Sequence, residues 1–148
     1  MKRQSDIYSK EKRSQIMSLV KSKNTKPEKR VRSELHKLGY RFSLHRKALP
    51  GYPDIVLPKY KSVVFVHGCF WHRHRGCKFA YTPKSRLEFW VRKFDSNVAR
   101  DRLVARTLRQ AGWRVIRIWE CDLTTTRRGR VINRLRREFE RTAPSKRA

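Results

Sequence analysis

The spacing of apolar positions changes period several times along the chain, and each change predicts an element. Ile16, Met17, Leu19 and Val20 follow Ser9, an N-cap residue type, and predict a helix over Ser9–Val20. Thr25-Lys-Pro-Glu28 has the S/T-x-x-E form of a capping box, opening a helix that carries Val31, Leu35 and Leu38 to a stop at Gly39. Tyr40–Leu44 alternates and predicts a strand. Asp54–Leu57 predicts another, between the turn clusters Pro50–Pro53 and Pro58–Lys61. Ser62–His67 holds a continuous apolar run, the pattern of a strand buried on both faces. Helices follow over Ser85–Lys93 and Ser96–Gly112, then a partly exposed strand over Trp113–Trp119. A last helix, about Gly129–Arg141, carries Val131, Ile132, Leu135 and Phe139 on one stripe. The order α-α-β-β-β-α-α-β-α predicts an α/β sandwich, a mixed central sheet flanked by helices. One domain is expected over residues 1–148, with polar ends at 1–8 and about 142–148 that are disordered.

Charge changes this picture from a fold to a partner. Lys and Arg number 39 against 12 Asp and Glu, a net charge of +27. An apolar content of 38% with 11% aromatic is too high for a disordered polycation, so the charge decorates a folded body. Such a field concentrates polyanions, and nucleic acid gains most because each neutralised phosphate releases counterion. An anionic membrane would attract the same charge. However, no apolar run reaches the roughly 18 residues of a membrane span, and no signal-peptide pattern opens the chain. A cytoplasmic protein with no membrane partner is expected.

The chemistry concentrates in Val66–Cys77, "VHGCFWHRHRGC". Three cysteines make an odd count, which argues against a disulfide framework in a cytosolic chain. Cys69-x4-His74-x2-Cys77 with the distant Cys121 offers three thiolates and one imidazole, the donor set of a closed structural zinc site. His72 is the alternative nitrogen ligand, and loop geometry does not choose between the two. Asp54, in Gly51-Tyr-Pro-Asp54-Ile-Val, stands where PD-(D/E)xK nucleases carry a divalent-metal carboxylate, although an Asp after Gly and Pro is also an ordinary turn residue. Phe70, Trp71 and Trp90 read either as core or, beside so many arginines, as base-stacking or wedge residues. His36 and His45 read as surface or helix histidines without a role. Glu28 is accounted for by the capping box.

Four blocks, "LPGYPDIV", "VFVHGCFWHRH", "EFWVRKFDSNVARD" and "GWRVIRIWEC", closely resemble in order and separation the very-short-patch repair (Vsr) DNA mismatch endonuclease family. The likeness covers roughly residues 10 to 123. It implies a type II restriction endonuclease-like fold and a nick in one strand, 5′ of the thymine in a T·G mismatch left by deaminated 5-methylcytosine. It implies Asp54 as a Mg²⁺ ligand and the Val66 carbonyl as another, His72 as general acid/base, and His67 as an aid at the scissile phosphate. Glu28 and Asp101 match acidic residues near the active site. Cys69, His74, Cys77 and Cys121 match structural Zn²⁺ ligands, while Phe70, Trp71 and Trp90 match aromatics that enter the DNA. The N-terminal helix would close on the duplex from its minor groove. Val66 stands where the family often has Thr, so only its carbonyl is available. Arg73 and Arg75 replace histidines found in some members, and the His74–Cys77 spacing is longer than in others. Double-stranded DNA is the implied partner, with other repair proteins as further candidates, and a monomer is expected because an asymmetric mismatch has no two-fold axis.

Overall fold

The structure, a computed structural model, describes residues 23–142, so the helix expected over Ser9–Val20 and the polar ends 1–8 and 143–148 lie outside the described residues. The first described helix, α1, is Lys26–Lys37, capped by Thr25, whose Oγ1 accepts the Glu28 N–H at 3.4 Å. The capping box closes differently from the usual reciprocal pair. Glu28 Oε2 accepts the N–H of Asn24, one residue ahead of the cap, at 3.0 Å. Gly39, at φ +83°, ends the helix in the left-handed conformation that glycine adopts without strain. Tyr40 N–H then bonds the Leu35 carbonyl at 3.1 Å, so it serves the helix end and not a strand. The strand expected over Tyr40–Leu44 is accordingly only β1, Ser43–Leu44.

Next come β2 (Ile55–Leu57), a 3-10 turn (Pro58–Tyr60) and β3 (Ser62–His67), which is buried along nearly its whole length as expected. The two helices expected across 85–112 are one, α2, Leu87–Gln110. No Pro or Gly interrupts Phe94-Asp95-Ser96, and Asn97, next to the expected helix start at Ser96, is buried with its amide on the Trp71 carbonyl at 3.0 Å. Strand β4 (Arg114–Trp119), a 3-10 turn (Glu120–Leu123) and α3 (Arg128–Thr142) complete the order.

The sheet runs β1-β2-β3-β4, antiparallel across the first two junctions and parallel between β3 and β4, so it is mixed as expected. Its two faces carry different cores. Ile55, Leu57, Val64, Val66, Ile116 and Ile118 face α1 and α3, meeting Val31, Leu35, Leu135 and Phe139. Val56, Val63, Phe65 and Val115 face α2 through Leu108 and Val104. Truncating the fully buried Phe139 to Ala would cost about 3 to 5 kcal/mol in lost burial and cavity.

The parallel pair decides where the chemistry gathers. His67 stands opposite Trp119 at the last register position. Both strands therefore end together, and Cys69 and Cys121 each lie two residues beyond that pair. Among the described residues no helix is long and apolar enough to cross a membrane.

Candidate active site and metal centres

The loop after β3 is a run of tight turns. His72 N–H bonds the Gly68 carbonyl at 3.1 Å, His74 N–H the Cys69 carbonyl at 3.0 Å, and Cys77 N–H the His74 carbonyl at 3.2 Å. These turns send alternate side chains in different directions. Arg73, with φ +56°, staples the loop back on itself by donating to the carbonyls of Phe70, Ala80 and Tyr81 at 3.3, 2.8 and 2.9 Å. Its guanidinium also lies 3.9 Å from the Phe94 ring centroid. Nothing in the sequence patterning singled out Arg73 for this task.

His74 turns toward the cysteines. Its Nδ1 lies 3.6 Å from Cys69 Sγ and 3.3 Å from Cys121 Sγ, and Cys77 completes a group whose donor atoms are mutually close. A tetrahedral ion with M–S of about 2.3 Å and M–N of about 2.0 Å separates S and N by about 3.6 Å. The residues therefore fit such an ion. Burial pushes the Cys69 thiol up to about 12 and raises Cys121, while the Phe79 backbone N–H holds Cys77 below the ordinary thiol range. A bound cation would favour all three as thiolates. The His74 ring stacks on Trp119 at 4.2 Å and 9°, which holds its plane.

His72 turns to the other side. Its Nδ1 lies 2.7 Å from Asp101 Oδ2, and its ring stacks on His67 at 3.8 Å and 6°. Burial acts to raise the Asp101 carboxyl, but the His72 hydrogen bond, with positive charge nearby that includes Arg117, outweighs it and holds it below its ordinary value. Asp101 is therefore a carboxylate that accepts the His72 Nδ1 proton, leaving Nε2 as the basic atom of the ring. His67 is 6% exposed, and its Nδ1 has no hydrogen-bond partner among the described residues. Burial, with the His72 and Arg117 charges, pulls it down to about 3, so it stays neutral near pH 7.

Asp54 sits immediately before β2, on a loop whose backbone presses against α2. A Cβ on Gly51 would meet Val104 Cγ1 at 2.5 Å, and φ there is +72°, so this position accepts only glycine. Asp54 Oδ2 accepts the Val66 N–H at 2.7 Å, which ties the carboxylate to the end of β3 beside His67. Glu28, 2% exposed, and His45 share the cluster, with ligand atoms all within 4.8 Å of one another. Burial pushes Asp54 up to about 7, with the Glu28 charge adding to the effect and the Val66 N–H opposing it. A buried carboxyl and a partly buried one this close together fit a divalent cation.

His45, expected to be an ordinary surface or helix histidine, stands on neither a helix nor the open surface. His45 is only partly exposed, and its Nδ1 lies 3.8 Å from Asp54 Oδ1. No periodicity could have found it, because it stands on a turn at the end of a two-residue strand. Glu28 likewise does more than cap a helix, since its Oε2 also pairs with Arg32 at 2.8 Å.

Phe70, Trp71 and Trp90 are neither buried core nor bare surface. They form one half-exposed cluster with Phe94, with Phe70 at 5.1 Å from Trp71, 5.4 Å from Trp90 and 5.1 Å from Phe94. Tyr81 and Phe89 extend it outward, 64% and 46% exposed, and Arg86 lies over the Phe89 ring at 4.6 Å.

The model of the family "DNA mismatch endonuclease Vsr" matches residues 5–78. The type II nicking enzyme V.XorIIP of Xanthomonas oryzae pv. oryzae is 55% identical over 119 residues, 80% of this chain and 87% of that protein. The DNA mismatch endonuclease Vsr of Escherichia coli is 42% identical over 118 residues, 80% of this chain and 75% of that protein. The chain belongs to the Vsr family. V.NmeAIP of Neisseria meningitidis, another type II nicking enzyme, is 44% identical over 91% of this chain and 96% of its own length. Among solved structures, the catalytic domain of the homing endonuclease I-Bth0305I superposes with a TM-score of 0.57 at 20% identity, covering 82% of this chain and all of that domain. That likeness concerns the fold. With family and fold together, the Vsr-family chain is a nuclease acting on DNA.

Proposed function

We propose that this chain is a single-domain, Mg²⁺-dependent nicking endonuclease of the bacterial cytoplasm, with a restriction-endonuclease-like fold, that cuts one strand 5′ of the thymine at a T·G mismatch. The reading is carried by the convergence, at the end of β3, of the Asp54 carboxylate on Val66 N–H with the stacked His67–His72 pair and Asp101. A divalent ion held by Asp54 and the Val66 carbonyl would offset negative charge at the scissile phosphate. Asp101 orients His72 so that Nε2 takes the proton of the attacking water. His67, kept neutral by burial, offers a hydrogen bond to the phosphate and adds no charge. Glu28 sets the electrostatics around Asp54.

A structural Zn²⁺ on Cys69, His74, Cys77 and Cys121 would anchor the loop that carries these groups. The Phe70, Trp71 and Trp90 cluster would meet unstacked bases. A wobble pair yields to such a wedge more cheaply than a Watson–Crick pair, on the order of a few kcal/mol per step, which is a physical source of mismatch choice. Matched oligonucleotide duplexes containing T·G or C·G, incubated with Mg²⁺ or EDTA, test the reading. Nicking of the T·G strand alone, and only with Mg²⁺, supports it. Equal cutting of both duplexes would instead make the chain a nuclease for paired sites.

A further inference from the structure

Of the residues around Asp54, His45 has the least obvious reason to be where it is. Its backbone adopts φ +45°, a left-handed conformation that non-glycine residues hold only where surrounding contacts enforce it. The His45 ring itself is met by Arg32. The Arg32 fork donates from Nη1 to Asn24 Oδ1 at 2.9 Å and from Nη2 to Glu28 Oε2 at 2.8 Å, and Nη2 also lies 2.9 Å from His45 Nε2. A guanidinium has no acceptor atom, so in its contact with Arg32 the His45 Nε2 acts as acceptor, while the same Nε2 lies 3.4 Å from Glu28 Oε2. With Nε2 accepting from Arg32, the ring presents Nδ1–H to Asp54 Oδ1, 3.8 Å away. The other Asp54 oxygen is already taken by Val66 N–H at 2.7 Å.

This tautomer separates two chemistries. A nitrogen carrying a proton cannot ligate a metal, and moving the proton to Nε2 would set it against the Arg32 N–H. His45 is thus poorly suited to be a ligand and well suited to orient one. We propose that His45 is a positioning residue, relaying the Arg32–Glu28 pair to Asp54 so that Oδ1 keeps the direction needed to hold a divalent ion. The inference rests on the reading of Asp54 as the metal carboxylate. The distance of 3.8 Å exceeds a hydrogen bond, so the effect on Asp54 is electrostatic and steric at rest and strengthens with any small approach of the two groups.

The test titrates the whole protein with Mn²⁺, followed by electron paramagnetic resonance, for the parent, His45→Ala, His45→Asn and Asp54→Asn. Asn places an amide N–H close to the Nδ1 position and tolerates positive φ. The expected result is a loss of roughly 10- to 100-fold in Mn²⁺ affinity for His45→Ala, the usual scale for a group that orients a metal ligand. His45→Asn should recover to within about threefold on the same scale, with an unchanged thermal midpoint and the same relative order in Mg²⁺-supported nicking. Parent-like Mn²⁺ affinity in His45→Ala overturns the proposal, as does His45→Asn binding no better than His45→Ala. Spin-echo modulation from a directly bound ¹⁴N that is present in the parent and lost in His45→Asn also overturns it, by making His45 a ligand. The Asp54→Asn arm separates the two levels. If it binds Mn²⁺ like the parent, the metal reading of Asp54 fails, whereas loss in Asp54→Asn with retention in His45→Ala removes only the role of His45.

Discussion

Two side-chain clusters grow from the stretch Val66–Cys77 and part on either side of Trp119. His74 stacks flat on the indole and points at cysteines, while His67 meets the same indole edge-on, 68° between planes, and stacks on His72. The cysteine cluster is closed. Its donors come from one loop and the 3-10 turn after β4, and the His74 distances to Cys69 and Cys121 are close to those of a small tetrahedral ion. The Asp54 and His67 side is strained instead, with a carboxyl raised by burial, a buried histidine nitrogen without a partner, and a histidine at positive φ. The contrast teaches that residues of one metal-binding type can serve rigidity and reactivity within a few positions, depending on what their neighbours satisfy.

The largest effect should come from breaking the closed cluster. His74→Ala or Cys121→Ser is expected to release zinc, lower the thermal midpoint by on the order of 10 °C or more, and take nicking down with it, as metal analysis and a melt would show. Asp54→Ala should bring nicking of a T·G duplex to background while zinc content and gel-shift affinity stay near those of the parent. A mutant that still nicks would end the assignment of Asp54. His72→Ala is expected to slow nicking by about 10² to 10⁴-fold with zinc retained. Zinc lost with His72 and kept without His74 would invert the comparison.

The smallest effect is a pH dependence. Asp54 has a folded value of about 7 against an ordinary 3.8, so between those values the native state holds a proton that the unfolded chain has released. Its contribution to stability is present below about pH 4 and lost as pH rises to about 7. His67, pulled to about 3 from 6.5, acts in the opposite sense, its contribution lost as pH falls through that window. The two largely cancel in the parent without divalent metal. In EDTA, Asp54→Asn should therefore gain on the parent as pH rises from about 4 to 7, by at most about 1.4 kcal/mol per pH unit in denaturant titrations. Parallel pH curves for the two proteins would remove the burial argument for Asp54.

Local patterning was enough for β3, for the start of α1 at Thr25 and for the stripe on α3, because each depends on contacts within a turn or along one strand face. It misjudged Ser96, where a possible helix start was overridden by the continuous packing of α2. The thiolate and imidazole donors were visible as residue types, and the family likeness named the partition of His72 from His74. Spacing alone left that choice open.

Composition, periodicity and residue type thus determined that the chain is a basic α/β protein with a buried central strand and two kinds of metal-capable side chains. The parallel register of His67 with Trp119 brought Cys121 to Cys69, and the tertiary fold set His45 between Arg32 and Asp54. Both pairings join residues that lie far apart in sequence or on an irregular turn. Their geometry is set by sheet register and by long-range hydrogen bonds, and neither leaves a period in the sequence.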